Sequence, residues 1–409
     1  MRFRAHPRGR IRPSRVLRDR RHWIRRPGEL RSPPAGPGPL RCMVFIPPDP
    51  TRFAEAVSSW LSAGGAEDDV VVSCRVRLAR NIEGFPFVSC LEPGRAQEIS
   101  ATLRDLMVRQ KLAGETIWID MEEASPLLRL LLRERHLVSR DLAPTDPRLA
   151  KRPGRAVAFG ADETLSVMVN EEDHVRLQSF TAGFALREAW ASAHQLDLIL
   201  EGQVGFSHSQ EFGYLTGCPT NVGTGLRASV MMHLPGLGLV RAELEKVFNA
   251  AQRTGLAVRG MYGEGSQAAG DFYQFSNQVT LGCTEEDLLE ELESLVPSIV
   301  DYERRVRKVL LEEQGAALED RVRRSFGMLR TARSLPTQVA LIHLSNVRLG
   351  SCMGILESIK PRELNRMTVQ IQKGHVNALG SATPEQLAEA TERDRMRATL
   401  LRKRFGEFA

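Results

Sequence analysis

Between Val70 and Leu78 apolar and polar positions alternate with the period of a strand. Val70, Val72, Cys74, Val76 and Leu78 share one face, and Arg75 and Arg77 share the other. A second run, Leu165 to Gln178, alternates less strictly. Read as one extended strand, it sets Asn170, Glu172, His174 and Arg176 opposite Glu171, Asp173, Val175 and Leu177, and so pairs Arg176 with Glu172 rather than Glu171. Helical spacing predicts helices over about 95–111, 125–136, 181–200 and 240–253, the last closed by Gly255 at the position after the cap that favours glycine. Strands and helices do not alternate as in a doubly wound parallel sheet. The pattern predicts an α+β fold, an antiparallel β-sheet flanked by helices.

The period changes after Cys283. Leu288, Leu289, Leu292, Leu295, Val296 and Ile299 recur at helical spacing behind Thr284 and Asp287, a capping-box start. Further on, Thr383-Pro384-Glu385-Gln386 reads as N-cap, first-turn proline and capping box, opening a last charged helix that runs to about Phe405. Residues 284–409 are therefore expected to be an all-helical C-terminal domain following a catalytic domain over 43–283. No run of about 18 apolar residues is present, which excludes a membrane-spanning helix.

Charge alters the picture at one end. The formal net charge of the 409 residues is +6, but residues 1–42 hold thirteen arginines, no lysine and only Asp19 and Glu29 as acids. Without that segment, which is net +11, the remainder carries −5, so bulk charge is no argument for nucleic-acid binding. The segment lacks the apolar core of a signal peptide. Two readings of it stand: a basic arm that touches RNA or membrane, or a stretch ahead of a start at Met43, where the composition changes. Its unpatterned, arginine- and proline-rich composition favours the second and predicts disorder. The six cysteines, at 42, 74, 90, 218, 283 and 352, form no C-x-x-C pair, and a reducing cytoplasm fits them best.

The candidate chemistry lies in four segments that set arginines beside small or glycine-rich backbone. They supply Arg75 and Arg77, then Arg176, then Arg227 at the end of Cys218-Pro219-Thr220-Asn221-Val222-Gly223-Thr224-Gly225-Leu226-Arg227, and Arg259 in Arg259-Gly260-Met261-Tyr262-Gly263-Glu264-Gly265. Five planar, donor-rich cations suit a triphosphate and the spreading charge of a phosphoryl group in transfer. No P-loop and no protein-kinase signature is present, so an arginine cage would have to take the place of the P-loop lysine. Two carboxylates, Glu172 and Glu264, point to the acceptor. A hydroxyl acceptor needs one base, whereas a guanidinium, with a pKa of about 12.5–13.8, is best gripped along its N–H edges by paired carboxylates that orient it and take its proton.

The segments Ser73-Cys74-Arg75-Val76-Arg77-Leu78-Ala79-Arg80-Asn81, Asn170-Glu171-Glu172-Asp173-His174-Val175-Arg176, the Cys218–Arg227 loop and Arg259–Gly282 together resemble the ATP:guanido phosphotransferases, or phosphagen kinases, over about 70–283. The resemblance implies ATP-phosphate roles for Arg75, Arg77, Arg176, Arg227 and Arg259, guanidinium-binding roles for Glu172 and Glu264, and a thiol near the site at Cys218. It also implies an adenine-side histidine at His136, in Glu134-Arg135-His136-Leu137-Val138, and magnesium carried by the nucleotide, with no dedicated metal cage. Small-substrate members place a helical domain of about a hundred residues before the first arginine motif. Here only residues 43–73 stand in that place, and the helical part follows instead, which is similar to the bacterial protein-arginine kinases of the McsB type.

Within that part, Arg393-Asp394-Arg395-Met396-Arg397-Ala398 matches those kinases' phosphoarginine-sensing pattern, which would assign Arg393, Asp394, Arg397 and Ala398 to an allosteric site; pattern alone favours an ordinary charged helix, and the resemblance brings the two readings level. The resemblance implies protein substrates with exposed arginines, degradation by a Clp-type unfoldase–protease, an activator protein and a homodimer as partners, and neither nucleic acid nor membrane. Kinase action on a small guanidino metabolite and a catalytically silent phosphoarginine-binding adaptor stand as alternatives.

Overall fold

The computed structural model describes residues 48–144, 146, 152–261, 268–380 and 387–408. These lie in one compact unit. Its centre is an antiparallel sheet of eight strands, in the spatial order β2-β3-β4-β5-β1-β8-β10-β9. In chain order these are β1 (Val71–Arg80), β2 (Thr116–Asp120), β3 (Ala156–Gly160), β4 (Leu165–Val169), β5 (Val175–Ala182), β8 (Leu226–His233), β9 (Leu256–Gly260) and β10 (Phe272–Asn277). A small hairpin, β6 (His208–Ser209) and β7 (Gly213–Tyr214), stands apart.

The alternation along β1 is realised: Cys74, Val76 and Leu78 are fully buried, while Arg75 and Arg77 lie half-buried on the other face. The helix Leu186–Val204 packs on β1 and β5 from the apolar side, and the long helical segment Glu285–Thr331, kinked at Gln314 (φ −134°), packs on β8 and β10. Burying this face and the outer core of Phe53, Ile119, Leu128, Leu131, Phe159 and Met168 holds the sheet rigid against its helices. The helical end of the chain has its own core, in which Leu344, Leu364, Met367, Ala398, Leu401 and Phe405 meet.

Three expectations are corrected. Leu165–Gln178 is two strands, because the chain reverses at 170–174: Asn170 takes a left-handed φ of +51°, its N–H donates to His174 O (3.0 Å), and Glu171 N–H donates to Asp173 O (3.1 Å). Four consecutive polar residues, Asn170 to Asp173, are the turn signal that a face-parity reading passes over. β5 then continues to Ala182, so the helix expected from 181 starts at Leu186. The last helix runs Ala390–Gly406, not from Thr383. Ala388 is held out of it by donating to Asn377 Oδ1 (2.8 Å) and accepting from Arg393, and Thr383–Gln386 themselves lie outside the described residues. The capping box at Thr284 and Asp287 is present, with bonds of 2.8 and 3.1 Å, and Gly255 has φ +88° directly after the helix Arg241–Arg253 and its cap Thr254.

A buried carboxylate ties the long helix to the sheet. Glu303 is fully buried, accepts from the N–H groups of Gly236 and Leu237 (2.8 and 2.9 Å) at the start of the short helix Pro235–Leu239, and pairs with Arg307 Nε at 2.7 Å. Removing it leaves two buried N–H groups without an acceptor and leaves the buried Arg307 guanidinium only its longer contacts, at 3.3 Å, to Asp69 and His233 O. Glu303→Ala is expected to lower the unfolding free energy by about 3–5 kcal/mol, and Glu303→Gln, which keeps one acceptor, by less. Urea unfolding of the full chain measures both, and a loss below about 1 kcal/mol in the alanine variant would show that the tie is dispensable.

Candidate active site

Residues directly opposed in neighbouring strands lie on the same face of a sheet. Arg77 stands opposite Arg227 of β8 and Gln178 of β5, Ala79 opposite Arg176, and Arg75 opposite Phe180 and Ser229. Ser73 stands opposite Met231, Met231 opposite Gln274, and Gln274 opposite Arg259 of β9. Register alone therefore carries all five arginines to one face, the side away from the apolar helix packing. The gathering spans five adjacent strands, β5-β1-β8-β10-β9, and sequence segments more than 180 residues apart.

Crowding shows in the electrostatics. The Arg75 guanidinium is pushed down to about 10, first by loss of solvent and then by the charges of Arg227 and Arg176. Arg77 is driven down by burial and by Arg75, Arg227 and Arg176, and Arg227 by burial, Arg259 and Arg176. Protein acceptors for these donors are few: Arg75 Nη2 donates to Gln274 Oε1 (3.2 Å) and Arg227 Nη2 to Ser276 Oγ at 3.5 Å, while the buried Nε atoms of Arg77 and Arg227 have no partner. Buried N–H donors without acceptors cost free energy unless a ligand completes them. An anion with many acceptor oxygens fits the face, and a nucleotide triphosphate has that chemistry.

His136 borders the same face. Its backbone adopts φ +60° and its carbonyl accepts from Gln178 Nε2 (2.7 Å), the residue opposite Arg77. Burial and the charges of Arg75 and Arg77 push its imidazole down to about 3, so the ring is neutral at pH 7, and its buried Nε2 has no partner. Trp60 stacks on Phe180 (4.6 Å between ring centroids), lies 6.4 Å from the His136 ring, and Arg75 lies 5.5 Å over Phe180. This aromatic edge is the flat, uncharged end of the arginine face.

The carboxylate side is built on the reversal between β4 and β5. Arg176 binds both glutamates: Nη1 meets Glu171 Oε1 at 2.6 Å and Nη2 meets Glu172 Oε2 at 3.0 Å. The expected preference for Glu172 is thus corrected, since at a turn strand parity no longer sorts the two. Their environments do: the Glu171 side chain is fully buried and that of Glu172 is 41% exposed, so Glu172 is the one able to meet an acceptor. Glu264 lies outside the described residues.

Two buried sets of bonds hold this turn beside the Cys218 loop. Asn81 Nδ2 donates to Asp173 Oδ1 (2.7 Å) and to Leu215 O (3.0 Å), and Asn81 Oδ1 accepts from His174 N. Asp173 Oδ1 also accepts from Gly217 N at 2.5 Å, and a Cβ at Gly217 would stand 2.8 Å from Glu172 O, so only glycine lets the two backbones meet. His174 is buried, accepts from Ile82 N on Nδ1 (3.0 Å) and donates from Nε2 to Pro86 O (2.9 Å), which fixes a neutral tautomer. Arg80, 1% exposed, donates to Thr224 O and to Asp197 Oδ2 (2.9 Å each) and lies 3.6 Å over the Tyr214 ring. Cys218 Sγ is 3.1 Å from Thr220 Oγ1, on the loop beside Glu172.

Gln274, Arg80, Asp173 and Asp197 were not singled out by sequence reasoning. Arg80, Asp173 and Gln274 stand inside the motifs quoted above; Asp197 owes its place to helix packing, which no local pattern displays. In the helical part, Arg393 and Asp394 are half-buried, whereas Arg397 is 1% exposed, donating to Ile371 O and Leu335 O (2.7 Å each) and pairing with Asp394 Oδ1 at 2.6 Å, and Ala398 is in the core.

Comparison with known proteins bears directly on this arrangement. Residues 97–306 match the ATP:guanido phosphotransferase C-terminal catalytic domain, and residues 315–409 match the protein-arginine kinase McsB C-terminal domain. The protein-arginine kinase of Halothermothrix orenii is 41% identical over 351 residues, covering 85% of this chain and 96% of its own. That of Bacillus subtilis is 40% identical over 352 residues, covering 86% and 94%. Among solved structures, the duplicated taurocyamine kinase from Schistosoma mansoni with bound transition-state-analogue components superposes with a TM-score of 0.52 at 26% identity, over 61% of this chain and 36% of that one. A lombricine kinase shares the fold with a TM-score of 0.51 at 24% identity, over 61% and 70%. No helix among the described residues is long and apolar enough to cross a membrane. Both domain matches and the identity to these relatives over most of their length agree, and the chain belongs to the protein-arginine kinases of the ATP:guanido phosphotransferase family.

Proposed function

We propose that the chain transfers the γ-phosphoryl group of ATP to arginine side chains of proteins, with the phosphates held by Arg75, Arg77, Arg176, Arg227 and Arg259. The observation that carries these assignments is the single sheet face on which five guanidinium groups converge, with the buried Nε donors of Arg77 and Arg227 unpartnered. His136, neutral and bordered by aromatics, takes the adenine side. Magnesium arrives with the nucleotide and offsets phosphate charge. Glu172, with Glu264, grips the acceptor guanidinium; a guanidinium nitrogen attacks the γ-phosphorus, the P–N bond forms as the bond to the ADP oxygen breaks, and the nitrogen's proton passes to a carboxylate. Cys218 lines the acceptor side.

By the same reading Arg393 and Asp394 contact phosphoarginine, with Arg397 and Ala398 holding them in place from within. The enzyme works in the cytoplasm on exposed arginines, as a homodimer with an activator, and supplies a Clp-type unfoldase; family resemblance supports these partners. The deciding experiment is incubation with ATP and either a protein or free arginine, followed by assay of acid-labile P–N phosphate, expected on the protein. Phosphate on free arginine alone would favour a small-metabolite kinase, and none on either a silent adaptor.

Glu172→Gln and Glu264→Gln are each expected to lower turnover by about 10²-fold or more while nucleotide binding persists, since an amide keeps shape but neither neutralises the guanidinium nor takes its proton. Near-normal rates in both would overturn the carboxylate grip. On the phosphate side, Arg227→Lys and Arg259→Lys keep charge but lose the planar fork, and each is expected to cost about 3–4 kcal/mol of transition-state stabilisation. Wild-type rates at saturating ATP would remove either residue from the cage.

A further inference from the structure

β1 begins, β8 ends and β10 begins on one edge of the sheet: His233 N donates to Val70 O (2.8 Å), Leu234 N donates to Asp271 O (2.9 Å), and Phe272 stands opposite His233. A helix from the C-terminal region, Thr337–Cys352, closes that edge. Its Arg348 donates to Asp68 O (2.7 Å), to Asp69 O (2.9 Å) and to Asn365 Oδ1 (2.9 Å). Arg348 Nη1 also lies 2.9 Å from His233 Nδ1, His233 Nε2 lies 2.8 Å from Ser345 Oγ, and Ser345 Oγ lies 3.2 Å from Asp271 Oδ2.

The direction of this chain is forced. A guanidinium only donates, so His233 Nδ1 accepts, which places the ring's single proton on Nε2. Nε2–H then donates to Ser345 Oγ, and the serine's own proton is left for Asp271. Arg348 and His233 are 0% exposed and Ser345 1%, so solvent does not compete for these bonds. Burial, with the charges of Arg348 and Arg307, holds His233 well below its usual range and keeps it neutral. Asp271, which has a left-handed φ of +57°, is raised to about 6 by burial, with the Ser345 bond and Arg321 opposing and Glu303 adding. The arrangement of acid, hydroxyl and imidazole is not a nucleophilic triad, because Ser345 is sealed from substrate.

We infer that Arg348, His233, Ser345 and Asp271 form a positioning relay by which the C-terminal helix Thr337–Cys352 fixes where β8 ends and β10 begins, and with them the strands that present Arg227 and Gln274 to the phosphate cage. Its functional consequence rests on the reading of that cage given above. His233 is six residues from Arg227, roughly 20 Å along an extended strand, so the relay acts through strand placement and not by contact with the reacting groups. Small misplacements suffice, since a shift of about 1 Å in a positioned group can cost about 10²-fold in rate.

The test uses the full chain, with casein as arginine-bearing acceptor and magnesium ADP as nucleotide probe. Ser345→Ala and Asp271→Ala are expected to lower kcat about tenfold or more with the ADP dissociation constant within about threefold of wild type. Asp271→Asn, whose amide oxygen still accepts from Ser345, should recover most of that loss. Because the chain is already broken by one change, the double variant Ser345→Ala with Asp271→Ala should be no slower than the worse single one. Rates within twofold of wild type in both single variants, or losses that add, overturn the relay. Where a variant does not fold, nitrogen-15 spectra of the wild-type histidines decide: a His233 Nε2–H tautomer from pH 5 to 8 supports the relay, and an Nδ1–H tautomer or an imidazolium overturns it. Absence of P–N phosphate with wild-type enzyme would defeat the kinase reading instead, and the spectra would still report on the relay.

Discussion

Guanidinium groups repel one another, and this face of the sheet gathers five of them on adjacent strands. Two unit charges about 6 Å apart cost roughly 3 kcal/mol at an effective dielectric constant of 20, and a like-charged pair set directly opposite, as Arg77 and Arg227 are, destabilises a sheet. Lost solvent lowers the affinity of Arg75, Arg77 and Arg227 for their protons most, and that repulsion lowers it further. No local preference would assemble such a face. It exists because burial of the opposite, apolar face fixes the strands, and the same residues that supply the packing therefore hold the charges apart from water and close to each other.

The carboxylate side follows a different rule. Glu171 and Glu172 are adjacent in sequence and both bind Arg176, yet one is sealed and the other open. Asn81, Asp173 and Gly217 lock the turn on either side of Glu172, whose side chain keeps one bond to Arg176 and is otherwise 41% exposed. Arg80 does the same for the neighbouring loop through Thr224 and Asp197. An open acceptor with a rigid mount suits a substrate arginine that projects from a protein chain.

Sequence reasoning reached what repeats locally and what register makes inevitable. The two faces of Val71–Arg80, the cap at Thr284 and Asp287, and the antiparallel class were legible because alternation and capping are local. The Asn170–His174 turn was read as strand because parity counts residues and does not see a left-handed Asn170. The last helix begins at Ala390, where the bonds of Ala388 to Asn377 and Arg393 hold the preceding backbone out of it, a long-range constraint that no local pattern displays. Asp197 has no local signature, since it matters only through Arg80, 117 residues away, and Gln274, though inside Arg259–Gly282, shows its bond to Arg75 only once the strands are paired.

The helical region after residue 284 is bonded into the sheet at its core rather than laid upon its surface. Glu303 caps the helix that follows β8, and Arg348 collects the backbone ahead of β1 together with the end of β8. Arg397, buried in the same region, donates to Leu335 O, to Asp394 and to Ile371 O, two residues before the Lys373–Gly380 helix whose N–H groups at Gly374 and His375 are capped by Glu134, itself two residues before His136. Charges that a solvent-exposed domain would carry outward are here turned inward and consumed by backbone carbonyls. Each such bond is expensive to break singly, so the helical region has few ways to move without moving strand ends or the His136 segment as well. A ligand that favoured one placement of these helices would be felt at the arginine face by the difference in its affinity for the two placements, and by no more than that.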